Sequence, residues 1–174
     1  EAKIPKRPMQ WQVNDHNIKG HIKFEAWCSH CVRGRAQEGQ HRRSEEGRSK
    51  EVPTVGIDYM WMGKTDEEIG MPILAGADEE TGSLLADVVP AKGRNPHAVK
   101  RLGERLDELG YKKIFLKSDE EPAMIALKSA AKVENKLEVI LEESPVGDSQ
   151  SNGLAEGAVK IIQGLVRTGV DALE

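Results

Sequence analysis

From residue 51 onward, the order of apolar runs and helical stretches leaves few folds open. EVPTVGIDYMWM reads as a strand, with Val52, Val55, Ile57 and Met60 among its apolar positions. MPILAGADEETGSLLADVVP reads as two strands joined by a turn at Glu79–Gly82. Asn95-Pro96 opens a helix that runs to about Leu109. Ala98, Val99, Leu102, Leu106 and Leu109 recur at helical spacing, and Gly110 is the stop. KKIFLKS is a short strand. Glu120-Glu121-Pro122 starts a second helix, since acids and proline suit a first turn. Residues 136–141 make a further strand, a polar loop follows, and a third helix is expected from about Leu154 to Val170. The order β-β-β-α-β-α-β-α predicts a mixed sheet flanked by helices.

Residues 1–50 read as irregular. They hold Pro5, Pro8, the two cysteines Cys28 and Cys31, and four of the five histidines. The expected organisation is therefore an N-terminal segment, 1–50, and a core domain, 51–174. The 174 residues suffice for one domain with a real core. No apolar run approaches the roughly 20 residues that span a membrane. The chain begins without Met and its last residues, VRTGVDALE, show no helix stop, so it reads as a piece of a longer chain. Two cysteines this close make no disulfide framework; they point to metal or redox chemistry in a reducing compartment.

Net charge is −4, which by itself argues weakly against a nucleic-acid partner. The charge is uneven, however. RGRAQEGQHRRSEEGRSK, residues 33–50, is rich in Arg, and the acids concentrate later. That basic run suits either a phosphate backbone or a solvated linker.

Three carboxylates occupy telling places. Asp58 lies inside the first strand, where Asp is depleted. Asp119 stands immediately beyond IFLKS, and residues past strand C-termini are where ligands gather in α/β sheets. Glu156 lies in the first turn of the last helix, after a loop running from Gly147 to Gly153. On that helix Leu154, Ala158, Ile161, Ile162, Leu165 and Val166 form an apolar stripe. Glu156, Lys160, Gln163 and Arg167, at i, i+4, i+7 and i+11, share another face. Each acid alone has an ordinary reading: a solvated strand position, a helix N-cap, or a surface i,i+4 pair. Together, converging acids would repel unless a cation neutralised them, and hard oxygen ligands suit Mg²⁺ or Mn²⁺. Two such ions about 4 Å apart can activate a water or a 3′-hydroxyl against a phosphodiester.

GIDYMWM, LKSDEEPA and SQSNGLAEGAVK resemble the catalytic core of retroviral and retrotransposon integrases, most closely the copia-like kind. The match covers about residues 50–174. The resemblance implies a ribonuclease-H-like α/β fold and an Asp58, Asp119 and Glu156 triad that binds Mg²⁺ or Mn²⁺. It implies DNA integration, by 3′-end processing and strand transfer, as part of a retrotransposon Pol polyprotein. Asn152-Gly153 and Glu156 match the family's Gln-Asn-Gly-x-x-Glu segment, with Ser151 at the preceding polar position. By the same likeness the loop is the mobile active-site loop, and Lys160 matches a position that contacts DNA ends. Gln163 and Arg167 extend that DNA-binding face. Asp119 and Glu156 have 36 residues between them (120 through 155), one more than is usual in the family, and the closing helices of the core would lie beyond Glu174. Element and target DNA, a homo-oligomer and a nuclear setting are the implied partners and location.

WCSHCVRGRAQ is similar to the end of the zinc-binding module that precedes such cores. His16 and His21, with Cys28 and Cys31, then give a His₂Cys₂ option for Zn²⁺. Only six residues (22 through 27) separate His21 from Cys28, fewer than in the family. His30 and His41 are rival ligands, and His97 is expected to be structural. Two other readings stay open: a catalytically inactive relic that binds nucleic acid, and a nuclease of the same fold acting on the RNA of a hybrid.

Overall fold

The computed structural model describes residues 7–35, 52–62, 70–143 and 152–174. The elements run α1 (Gln10–Ile18), α2 (Ser29–Arg35), β1 (Thr54–Met60), β2 (Ile73–Asp78), β3 (Leu84–Val88), α3 (Pro96–Glu108), β4 (Lys113–Ser118), α4 (Pro122–Glu134), β5 (Glu138–Glu143) and α5 (Gly153–Leu173). They fall into two compact units: Glu46–Lys160, and Glu1–Glu45 together with Ile161–Glu174.

The first of these units carries a five-stranded sheet in the order β3-β2-β1-β4-β5. β1 pairs antiparallel with β2, and β2 with β3. β1 pairs parallel with β4, and β4 with β5. This is a mixed sheet, as the order of strands and helices predicts. The β2–β3 connection turns at Gly82, whose φ of +71° suits glycine. Asn95 caps α3 by accepting from the His97 and Ala98 amides at 3.0 and 3.4 Å. Gly110, at φ +73°, ends the helix.

Alternation along the strands sorts the two faces. Val55, Ile57 and Tyr59 of β1 and Ile114 and Leu116 of β4 are buried in one cluster with Leu102 and Leu106 of α3 and Met124 and Leu127 of α4. The even-numbered residues of β1 face the other side. There, a Cβ placed on Gly56 would lie 3.0 Å from Leu154 Cγ and 3.2 Å from the Ala155 amide nitrogen. The missing side chain lets the first turn of α5 sit directly on the strand.

The remaining unit departs from the irregular expectation, since α1 and α2 are helices. No apolar stripe announces them: Trp11 and Ile18 are exposed, and His16 is the buried residue of α1. The centre of this unit is a cluster of His and Cys side chains, described below. Its second half comes from the end of α5. A Cβ on Gly34 would lie 2.7 Å from the backbone nitrogen of Thr168, so α2 and α5 approach backbone to backbone. Arg33 grips Asp171 through Nε and Nη2, both at 2.7 Å.

That packing also corrects the expected stripe on α5. Ile161 and Val166 are exposed, whereas Ala155, Ala158, Ile162 and Thr168 are buried. The helix is apolar on several sides, so periodicity alone could not choose. Close approach selected the small residues. Strand β5 begins at Glu138 rather than Lys136 and runs on to Glu143. No described helix is long and apolar enough to cross a membrane.

Candidate active site and candidate metal centre

Register brings two of the predicted acids together. In the parallel β1–β4 pair, Gly56 stands opposite Lys117. Asp58 follows two residues later in β1, and Asp119 stands just past the end of β4. Asp58 is half-buried, and its Oδ1 accepts from the Tyr59 amide at 2.7 Å. Burial pushes its pKa up, the Tyr59 amide opposes this, and the charges of Asp119 and Glu121 raise it again. Asp119 is not the cap of α4: that position is Glu121, whose amide donates to Asp119 Oδ1 at 3.3 Å.

Glu156 lies one turn into α5, half-buried, and its amide donates to the Asn152 carbonyl at 3.1 Å. Leu154 and Ala155, against Gly56, seat that turn on the strand that carries Asp58. Asn152 is half-buried and Gly153 exposed. The loop residues 144–151 lie outside the described residues. Lys160 is exposed and Gln163 half-buried. Arg167 is exposed, with its Nε donating to the Gly34 carbonyl at 3.3 Å.

Four residues beside the acids, Tyr59, Trp61, Lys92 and Glu121, carried no such role in the sequence reading. Lys92, in the turn before α3, sets its Nζ 2.6 and 2.8 Å from the two carboxylate oxygens of Glu121. The same Nζ lies 4.3 Å from the centroid of the Trp61 ring and 5.3 Å from that of Tyr59. The Tyr59 hydroxyl accepts from the Gly93 amide at 3.0 Å, which anchors this turn to β1. A Trp just past the Asp-bearing strand was a visible signal. Lys92 had none, because its neighbours come from two distant segments.

The second cluster is the His₂Cys₂ set, and the fold assembles all four members. His16, His21, Cys28 and Cys31 are buried, and their ligand atoms lie within 4.8 Å of one another. Cys28 Sγ is 3.5 Å from His21 Nδ1; Cys31 Sγ is 3.4 Å from His16 Nε2 and 3.9 Å from His21 Nδ1; the two imidazole nitrogens are 2.9 Å apart. Tetrahedral zinc bonds of about 2.05 Å to N and 2.3 Å to S would place N and S about 3.5 Å apart and N and N about 3.3 Å apart. Two of the three sulfur–nitrogen distances match, the Cys31–His21 distance is longer by about 0.4 Å, and the imidazoles need a small separation. These four residues could hold a metal ion.

The surroundings are consistent with that. Burial raises the Cys28 pKa, and burial followed by the neighbouring His16 lowers that of His21. Arg35 donates Nη2 to Cys31 Sγ at 3.3 Å and Nη1 to the Ile22 carbonyl at 2.9 Å, closing the loop over the cluster. His30, the rival ligand, is engaged elsewhere: its Nδ1 lies 2.6 Å from Asp171 Oδ2. His41 is outside the described residues. His97 is exposed at the start of α3.

No family model and no curated protein sequence matches the chain. Among solved structures it is similar to a simian T-cell lymphotropic virus intasome in complex with PP2A regulatory subunit B56 gamma. That match has 14% identity and a TM-score of 0.37, covering 66% of this chain and 46% of that one. It is also similar to the fowlpox virus Holliday junction resolvase, at 9% identity and a TM-score of 0.29, covering 70% of this chain and 97% of that one. The chain thus spans less than half of the intasome chain it matches.

Proposed function

We propose that the chain is a divalent-metal-dependent phosphodiester transferase or endonuclease of the integrase type, acting on DNA, with Asp58, Asp119 and Glu156 as its metal-binding triad. What supports this reading is that Asp58 in β1 and Asp119 just past β4 follow the Gly56–Lys117 register pair, close enough for their charges to act on one another, with the turn bearing Glu156 against Gly56 of the same strand. Burial and mutual repulsion disfavour the ionised form of Asp58, a conflict that a bound cation would relieve. The carboxylate oxygens suit Mg²⁺ or Mn²⁺, which when bound supply charge neutralisation and an activated nucleophile.

The chain's own residues then have separate tasks. The three acids would hold the cations. Gly56 lets the α5 turn approach, and so positions Glu156. Lys160 would contact a DNA phosphate. Gln163 and Arg167 lie along the same helix face, Arg167 by a side chain that also holds the Gly34 carbonyl. In 3′-end processing a water oxygen attacks phosphorus, the P–O3′ bond breaks, and the departing oxygen takes up a proton. In strand transfer the freed 3′-hydroxyl is the attacking group.

His16, His21, Cys28 and Cys31 would hold a structural Zn²⁺. A retrotransposon origin within a Pol polyprotein, assembly as a homo-oligomer and a nuclear location belong to the same reading and rest on the sequence likeness. The test is nicking of duplex DNA with Mg²⁺ or Mn²⁺. The wild-type chain is expected to nick and Asp119→Asn to be inert. Equal nicking by the variant refutes the triad. An inactive relic would instead bind DNA with a steep salt dependence and give no Mg²⁺ heat in calorimetry.

A further inference from the structure

We propose that Trp61, Lys92 and Glu121 form a subsite for an unpaired nucleotide next to Asp58, with the base stacked on Trp61 and its phosphate drawn by Lys92. This rests on the DNA-directed reading above and names the form of DNA the site takes. Trp61 stands three residues beyond Asp58, and Glu121 two residues beyond Asp119. The subsite therefore adjoins the acids at the strand ends where ligands collect.

Trp61 is 42% exposed, so part of its ring is open to solvent. Lys92 lies over it at 4.3 Å and is itself tied to Glu121. The tie fixes the ammonium in place while two of its neighbours, Asp58 and Glu121, are acidic. An oligonucleotide phosphate arriving with divalent cations would find one preorganised cation there. The ammonium over the indole also draws π-density from the ring, which favours an electron-rich purine against the part left open.

Stacking needs a free base face. Inside a duplex both faces of each base are covered by its neighbours. A base that stacks on Trp61 must therefore come from a single strand or a frayed end. Lys92, by contrast, contacts a phosphate that both forms possess.

Fluorescence anisotropy with a labelled single-stranded oligonucleotide and a blunt duplex of the same length, in Ca²⁺ buffer, separates these roles. W61A is expected to weaken single-strand binding about tenfold and duplex binding less than twofold. K92A should weaken both and reduce the salt slope by about 1, with K92R restoring it. Equal loss on both DNA forms in W61A, or no loss on either, overturns the subsite. Should W61A fail to fold, W11F/W27F leaves Trp61 as the single indole. Quenching of its emission by the single strand but not by the duplex is then expected; no quenching, or equal quenching, overturns the proposal. The readout is binding alone, so a chain that never nicks DNA still tests it, and wild-type nicking judges the triad separately.

Discussion

Gly56 and Gly157 both lie beside the proposed chemistry, and they should respond oppositely to substitution. A side chain at 56 meets Leu154 and the Ala155 backbone at 3.0–3.2 Å. Gly56→Val should destabilise the protein by about 1–3 kcal/mol. It should reduce metal-dependent nicking by more than that loss implies, because it displaces the turn bearing Glu156. Gly157, inside α5, has nothing among the described residues within 4 Å of a built Cβ. Gly157→Ala should add about 0.5–1 kcal/mol by restricting the unfolded chain. Denaturant melts and nicking rates for both variants check the contrast. Asp58 was legible as a single residue, since a mid-strand acid calls for a reason. Lys92 was not, because its meaning depends on Trp61 and Glu121, which are far away in sequence.

Between elements, the link from β3 to α3 is the most strongly ionic. Asp87 accepts from Arg101 at 2.7 and 2.9 Å and from Arg105 Nε at 2.9 Å. Burial would raise the Asp87 pKa, but the hydrogen bonds from Arg105 and Arg101 outweigh it and hold it below the ordinary value. A carboxylate lowered in this way stabilises the fold above its unfolded pKa of about 3.9, and that contribution is lost as pH falls through the lower folded value. Asp87→Asn should therefore cost about 1–3 kcal/mol at pH 7. The difference from wild type should shrink in acid; urea melts at the two pH values decide. A gap that stays constant with pH would refute the ionic origin. Helix α3 was readable because its apolar residues, its Asn95 cap and its Gly110 stop all agree. Helices α1 and α2 were hidden, since they are organised around four polar ligands and show no stripe to count.

At the level of the whole chain, the two compact units should separate on heating. The unit built from residues 1–45 and 161–174 centres on the His₂Cys₂ cluster, so its folding should depend on metal. Chelation, or Cys31→Ser, is expected to lower or abolish one melting transition and to release zinc. The transition of the sheet-bearing unit should change little. Calorimetry with zinc quantitation checks this, and one transition insensitive to chelator would remove the metal from the account. Gly34→Ala should mimic chelation in part, since its Cβ would press on the Thr168 backbone at 2.7–2.8 Å.

Strand and helix order, the hairpin turn and the helix stops are local properties. They follow from side-chain periods of 2 and 3.6 and from residues with special backbone freedom, so a linear reading reaches them. The same reading named the four ligands and the three acids as types of residue in suggestive positions. Packing alone decided which of them meet. It set Asp58 beside Asp119 through the β1–β4 register, gave the far half of α5 to the N-terminal helices, and carried Lys92 to Trp61. Those outcomes depend on contacts between segments tens of residues apart, where no local period exists to be read.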